Sequence, residues 1–298
     1  MNTKILEQKA NTLKKIKELD HNLIDRVIDI IKNLKGWDLY RINPIAFAND
    51  YGLNESDTVN LFVYATKLGI LNFEWNLICP ACGGILKSHD SLGKLERDKI
   101  HCCICDIDID IDLNDFVDVA FSIDASIIGE MPDPFIDYIN DYRKYFVSKN
   151  FTPSEKMFNY MLKDGFRGFY TILPDDTVKI SLSTKPNELY RLCNPDNNFL
   201  VKIQTNGEIS ENNQIIDLDL LSSGFSSQIY NIPSGNVTIH VKSHLPVKAG
   251  LQVLYIDREF LMSLTVQDKA KFRRFFTGKM LLNNQNFRDL FKIESLPK

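Results

Sequence analysis

The sequence predicts an α+β protein, with helices near both ends of the chain and strands through most of its middle. Three observations lead to this fold class. Apolar residues recur at helical spacing through residues 5–68, two C-x2-C cysteine pairs follow within 79–105, and short β-rich runs separated by turn residues extend to residue 256. We therefore expect, in chain order, a helical winged-helix-like part, a zinc ribbon, an antiparallel β-sandwich and C-terminal helices.

Periodicity and capping residues predict the N-terminal helices. Within residues 5–35, apolar side chains at steps of three, four or seven indicate two helices, the second capped by Asp20. Pro44 stands where the first turn of a third helix would begin, and residues 55–68 predict a fourth. The alternating run 70–78 then predicts a strand. Helix, turn, helix and strand in this order are the outline of a winged helix.

The cysteine pattern is the most specific feature of the chain. Cys79 and Cys82 form one C-x2-C pair, and Cys102 and Cys105 form a second pair after 19 intervening residues, a spacing typical of a four-thiolate zinc site. Two residues between cysteines let one tight turn direct both sulfurs at an ion about 2.3 Å away, and a hairpin brings the second pair opposite. Because four thiolates leave no open position for water, the sequence predicts one structural Zn2+ per chain.

Other uses of these cysteines fit the sequence less well. Disulfides are disfavoured because the N-terminus carries no secretory signal, so we expect a cytoplasmic protein whose thiols stay reduced. Cys103 could replace Cys102 through a C-x-C turn, and whether it or His101 substitutes as a ligand stays open. Cys193 lies far away in an apolar stretch and is expected to be a buried thiol.

The residues that follow each cysteine pair have a predicted backbone role. Gly83 and Asp106 stand just past the two turns, where a positive φ is often needed. Residues 106–113 then alternate aspartate with apolar residues, as the start of a calcium-binding loop does. Such a loop needs glycine at its sixth position and glutamate at its twelfth, which are Ile111 and Val117 here. Strict alternation instead predicts a half-buried strand.

The remainder of the chain predicts a sandwich followed by helices. The predicted strands are Val117–Ile123, Phe166–Leu173, Val178–Ser183, Phe199–Gln204, Val237–Val241 and Leu251–Ile256. The aromatic stretch 134–146 is predicted to be helical or a covering loop. Thr265 to Asp268 resembles a capping box, and we expect the C-terminal helices to pack on the sandwich through Phe272, Phe275, Phe276, Phe287, Leu290 and Phe291. The predicted domains are 1–78, 79–117, 118–260 and 261–298.

Charge argues against nucleic-acid binding. The net charge is −4, and the whole acidic excess lies in residues 79–117, where a zinc ion held by four thiolates would add about −2. The would-be recognition helix 55–67 carries two acids and one lysine, whereas phosphate contact needs several lysines and arginines. We expect no nucleic-acid partner, and no membrane partner, because no run of about 18 apolar residues occurs.

The sequence lacks the common catalytic and nucleotide-binding motifs. G-x-S-x-G, the Walker loop, G-x-G-x-x-G and H-E-x-x-H are all missing. His240 and His244 flank a strand end and are interpreted as surface residues. The sequence therefore predicts a non-catalytic protein.

Several segments together resemble a known family, the region that precedes the catalytic domain of many bacterial class III adenylate/guanylate cyclases. They are Asn43-Pro-Ile-Ala-Phe-Ala48, the run Leu61 to Trp75, Cys79-Pro-Ala-Cys82, His101 to Cys105, and Asn286-Phe-Arg-Asp-Leu-Phe291 with Leu296. The resemblance is good over 22–125, fair over 236–298 and weak between them. The chain departs from the family pattern at Asp106, where glycine is usual, and in the aromatic stretch 134–146.

The resemblance implies a sensor or regulatory module that adjusts a cyclase homodimer. Its partner would be a C-terminal cyclase domain, in cis or in trans, and a homodimer of this chain is possible. The signal sensed, and whether a longer cyclase contains this chain, stay open. Two alternatives remain. One is a stand-alone winged-helix and zinc-ribbon protein-interaction or transcription-associated factor, which a basic surface stripe would favour. The other is an unrecognised enzyme, which a deep pocket with perturbed acids would favour.

Overall fold

Helices lie at both ends of the chain and strands lie between them, as the α+β prediction requires. The computed structural model describes residues 1–89, 99–110, 116–264, 268 and 270–292. Within those residues, no helix is both long enough and apolar enough to span a membrane. The described residues form two large hydrophobic cores, an N-terminal one and a sandwich one.

Four helices open the chain: α1 (Thr3–Leu13), α2 (His21–Asn33), α3 (Pro44–Asp50) and α4 (Glu55–Lys67). Their starts follow the capping residues of the sequence. The Asp20 carboxylate accepts the N–H of Asn22, and the Asn43 side chain accepts two N–H groups at the start of α3, where Pro44 is the first helical residue. The predicted helices and their caps are confirmed here.

The helices cover a three-stranded antiparallel sheet, and a hairpin extends from it. The strands are β1 (Leu71–Ile78), β2 (Ile85–His89), β3 (Ile100–Cys102), β4 (Ile107–Ile109) and β5 (Val117–Ile123), and the short helix α5 (Ala125–Ile128) follows. The sheet order is β2-β1-β5, and β3 pairs with β4. The predicted strand at 106–113 is confirmed for residues 107–109, whereas 111–113 lie outside the described residues. β5 was expected in the sandwich but pairs with β1.

The aromatic stretch is helical, and it covers the space between the ribbon and the sandwich. One turn over Tyr138–Tyr142 is a π-helix that leads into α6 (Arg143–Phe146), and the short strand β6 (Phe151–Thr152) follows. Helix α7 (Glu155–Asn159) then continues into a second π-helical turn, Tyr160–Asp164.

Eight strands form the sandwich: β7 (Phe166–Ile172), β8 (Thr177–Thr184), β9 (Leu189–Asn194), β10 (Phe199–Ile209), β11 (Gln214–Leu221), β12 (Gly224–Phe225), β13 (Ile229–Ser243) and β14 (Ala249–Tyr255). The long β13 joins two sheet halves: its first part pairs with β10, and its second part pairs with β11 and β8. One core fills the space between the halves. The pairings of β13 with β10 and β11 are parallel, so the sheet is mixed where the sequence predicted a purely antiparallel one.

The C-terminal segment packs differently from the prediction. It contains α8 (Arg258–Ser263), β15 (Lys271–Phe272), α9 (Gly278–Asn283) and α10 (Gln285–Phe291). Phe272 lies in a strand that pairs with β6, and Phe275 and Phe276 precede α9, so a helix through these three residues is wrong. Phe276 and Phe287 are buried in the N-terminal core, so the prediction that this segment packs on the sandwich is also wrong. Residues 265–267 of the capping box lie outside the described residues.

Candidate metal centre

Four cysteine sulfurs converge at the end of the three-stranded sheet. The Sγ atoms of Cys79, Cys82, Cys102 and Cys105 all lie within 4.8 Å of one another, with 3.9 Å between Cys79 and Cys105 and 3.8 Å between Cys82 and Cys102. These distances are far longer than a disulfide bond of about 2.05 Å. A tetrahedral ion with Zn–S bonds of about 2.3 Å requires S···S edges of about 3.8 Å. The four sulfurs are therefore spaced for one tetrahedral ion.

Two similar backbone turns position the sulfurs. In the first, the N–H of Gly83 donates to the carbonyl of Cys79 at 2.9 Å, and in the second the N–H of Asp106 donates to the carbonyl of Cys102 at 2.7 Å. The N–H of Cys105 also points at the Cys102 sulfur, 3.5 Å away. Each turn thus closes from the first cysteine of a pair to the residue after the second, as the C-x2-C spacing predicts.

The residue that closes each turn has a positive φ, as predicted: Gly83 has φ +69° and Asp106 has φ +59°. Glycine is also required at position 83 for space, because a Cβ there would lie 2.2 Å from the Phe151 ring. At Asp106 the positive φ is less favourable than it is for glycine, but its carboxylate contacts other residues.

Burial and mutual proximity perturb the thiols. Cys79 and Cys102 are fully buried, and Cys82 and Cys105 are partly buried. Hydrogen bonding between Cys79 and Cys102 lowers the pKa of the Cys79 thiol, whereas hydrogen bonding between Cys82 and Cys102 raises the pKa of the Cys82 thiol. Neighbouring thiols oppose one another in this way because several negative charges cannot accumulate in one small space. A divalent cation between them removes that conflict and allows all four to ionise.

The two alternative ligands, Cys103 and His101, contact residues outside the cluster. Cys103 is buried against Cys193, whose thiol donates to the Cys103 carbonyl at 3.1 Å. The imidazole of His101 lies 3.2 Å from Asp106 and 2.8 Å from Asp108 and is partly exposed. Neither residue belongs to the four-sulfur group. Cys193 is a buried thiol, as predicted.

Asp106 joins the ribbon to the sandwich. Its carboxylate is 2.7 Å from the Lys202 ammonium and 3.3 Å from the Arg191 guanidinium, and both cations lie on sandwich strands. Arg191 also donates to the carbonyl of Ile104, inside the second turn, at 2.7 Å. Sequence reasoning missed both cations, because each lies more than 80 residues from the turn and no local pattern indicates the pairing.

The two histidines of the sandwich, His240 and His244, are partly exposed. His240 lies 3.0 Å from Asp217, and His244 lies 2.7 Å from Asp219. Each residue contacts its own aspartate, and the side chains are 37% and 38% exposed. Their placement agrees with the interpretation as surface residues.

Comparison with known proteins gives one match. A family model described as "Family of unknown function (DUF5939)" matches residues 6–289. No curated protein and no solved structure matches the chain.

Proposed function

Since the chain belongs to the DUF5939 family, whose function is unknown, we propose its function from its own geometry and from its sequence resemblance: it is a non-catalytic regulatory module, stabilised by one structural zinc ion, that adjusts a class III nucleotidyl cyclase domain. That domain would follow the C-terminus or act in trans, in the cytoplasm. The observation that carries the proposal is the position of β1, which contacts the last described helix and ends at the cysteine cluster.

Zinc fits the cysteine cluster in chemistry as well as in spacing. Tetrahedral sets of four thiolates bind zinc or iron. Of these two metals, zinc has no redox chemistry. All four coordination positions are supplied by Cys79, Cys82, Cys102 and Cys105, so the ion would stabilise the fold and leave no site for water or substrate. Its role would be to hold the β3–β4 hairpin against the end of β1.

Strand β1 supports a mechanical link between the metal cluster and the C-terminus. Its C-terminal end leads directly into Cys79. In its middle, the Phe73 ring lies 5.4 Å from the Phe287 ring and 5.3 Å from the Phe291 ring, measured between centroids. The Lys67 ammonium of α4 lies 5.1 Å from the centroid of Phe291. A displacement of the ribbon would therefore reach α10 through a single strand.

Metal analysis tests the zinc part. We expect about one zinc per chain in protein purified with a reductant, and we expect Cys82→Ser to lower that ratio severalfold. The matched control is Cys193→Ala, which removes a buried thiol outside the cluster and should keep the zinc ion. Iron in place of zinc, or less than about half a metal per chain, would contradict a structural zinc site.

A fusion protein tests the regulatory part. A class III cyclase domain is joined after Lys298, and its rate is compared with that of the isolated catalytic domain and of a Phe291→Ala fusion. Phe291 is only partly buried, so its loss should weaken the contact with β1 and change the rate at least twofold without unfolding the chain. Leu173→Ala, at an exposed position of the sandwich, is the control. Equal rates for all four proteins would reject regulation.

A further inference from the structure

A cavity of about 340 Å³ lies between the ribbon, the aromatic stretch and the sandwich. Its volume is at the lower end of the range for small-molecule sites, about 300–1,000 Å³. The ribbon contributes both cysteine turns and Ile85, the aromatic stretch with the helix α7 that follows it contributes Phe146 and Met157, and the sandwich contributes Leu254 and Tyr255. Three separate parts of the chain thus enclose one space.

The walls are mainly apolar. Isoleucine, leucine, methionine, phenylalanine and tyrosine side chains make up most of the lining. Two of the polar groups on the wall form a hydrogen bond with each other: the buried Gln252 amide donates to the Tyr138 hydroxyl. Such a wall favours the apolar part of a ligand through burial of its surface.

The backbone beside the cavity is of an uncommon kind. The N–H of Tyr142 donates to the carbonyl of Asp137, and the N–H of Gly165 donates to the carbonyl of Tyr160, five residues earlier in each case. Both π-helical turns border the cavity, through Tyr138 and Tyr142 in one case and Tyr160 and Met161 in the other. Single π-turns are rare, and they occur often at functional sites. Two of them on one cavity are an independent indication of a binding site.

The charged side chains at the cavity are mainly positive. Among the described residues that line it, the charged side chains outside the cysteine cluster are Arg143 and Arg191, and no carboxylate lines it. Arg191 is engaged with Ile104 and Asp106, although its buried Nε has no partner in the described structure. Asp106 in turn is shared with Lys202.

Arg143 is the better placed of the two arginines. Its guanidinium stacks on the Phe158 ring at 5.1 Å, and Phe158 is 39% exposed, so this pair lies where the cavity meets solvent. The described residues give Arg143 no carboxylate partner. The cysteine cluster on the ribbon wall would carry negative charge once a metal is bound, which leaves the Arg143 end as the place for an anionic group.

We propose that this cavity binds an apolar small molecule with a single carboxylate, of the fatty-acid class, with its chain among the aromatic and aliphatic side chains and its carboxylate on Arg143. The proposal goes beyond regulation of a cyclase and does not depend on it, because binding is measured on this chain alone.

Calorimetric titration of the zinc-loaded chain with decanoate, below its micelle concentration, tests the proposal directly. We expect one site per chain, weaker binding of decanol, and no binding of decyltrimethylammonium. Arg143→Gln should weaken decanoate binding about tenfold, the worth of one charged hydrogen bond, and leave decanol binding unchanged. Lys144→Gln is the matched control, because it removes the same charge from the adjacent residue, which does not line the cavity.

A second variant tests the location of the site. Met157→Trp fills part of the cavity and should weaken both decanoate and decanol at least tenfold, whereas Met262→Trp, on a methionine that is 79% exposed and outside the cavity, should change neither. Circular dichroism and zinc content verify that each variant is folded. No decanoate binding to the parent chain, or unchanged binding to Met157→Trp, would overturn the site. Equal decanoate affinity in the parent and Arg143→Gln would overturn the carboxylate assignment.

Discussion

Asp106 shows how one residue serves both the local turn and the contact between distant parts of the fold. A positive φ costs a residue with a Cβ about 1 kcal/mol or more relative to glycine. Its carboxylate, however, meets Lys202 and Arg191, and its side chain is only 16% exposed, so the ion pairs are partly shielded from water. Glycine would relieve the backbone and lose these contacts.

Asp106→Asn separates the two effects, because asparagine tolerates the left-handed backbone but carries no charge. We expect the free energy of unfolding to fall by about 1–2 kcal/mol, between the values for exposed and for buried ion pairs. Urea unfolding of the zinc-loaded chain measures it. Asp108→Asn, at a position 68% exposed, is the control and should change stability by less than about 0.5 kcal/mol. Equal effects in both variants would show that the Asp106 charge is unimportant.

Asp118 predicts a pH dependence of stability. Burial raises the pKa of its carboxyl to about 7, although Arg41, Asn150 and Ser148 act in the opposite direction. The pKa of an unfolded aspartate is about 3.9, so between these pH values the folded chain holds a proton that the unfolded chain has lost. The contribution of this group to stability is therefore complete below about pH 4 and is lost as the pH rises through 7.

Asp118→Asn should remove this dependence. We expect its free energy of unfolding, relative to the parent, to rise by roughly 2–4 kcal/mol between pH 4 and pH 8. Unfolding curves at several pH values measure the difference. The exposed Asp164→Asn variant provides the control, and a constant difference between Asp118→Asn and the parent would contradict the assignment of a buried, proton-binding Asp118.

At the scale of elements, the sequence predicted which residues are helical or extended better than it predicted their partners. All six strands predicted between residues 117 and 256 are present, and β5 matched residue for residue, because period and turn residues are local properties. The prediction omitted β11, although its residues alternate between buried and more exposed positions. β9 was missed: all six of its residues are buried, so it shows no alternation. The apolar face of α10 was recognised, but an apolar face does not indicate whether it will meet a sandwich or β1.

Phe287 tests the observed packing of α10. Its side chain is 4% exposed and lies against Phe73, Trp75 and Phe291. Phe287→Ala should lower the free energy of unfolding by about 3–5 kcal/mol, the usual cost of removing a buried phenylalanine. Denaturant unfolding measures the loss, and Leu173→Ala, at an exposed site, should cost far less. A small loss at Phe287 would mean that α10 is detached in solution.

At the scale of the whole molecule, the sequence predicted the α+β class and the order of helices, ribbon and strands. It did not predict that the C-terminal segment returns to the N-terminal core, where Asn43 donates to the Arg274 carbonyl at 2.9 Å across 231 positions. Such contacts depend on which surfaces meet in three dimensions, so they cannot be predicted from composition and periodicity. The cysteine spacing succeeded because a metal site needs only two short turns.

The positions of the two hydrophobic cores predict which part of the fold is destabilised when the metal is removed. Cys79 and Cys102 belong to the same hydrophobic cluster as Phe276 and Phe287, whereas the sandwich core contains none of the four cysteines. If metal ligation stabilises the ribbon, as expected for such sites, loss of the metal should loosen that cluster first.

We expect faster amide exchange after chelation in β1, the β3–β4 hairpin and α10, with little change in β11 and β13. Hydrogen exchange measured by mass spectrometry on zinc-loaded and chelated protein compares these segments in one experiment. The Cys193→Ala variant, which keeps the metal, should retain the parent pattern without a chelator. Uniform loosening of both cores would instead show that the ribbon holds the two together and that the fold responds to the metal as one unit.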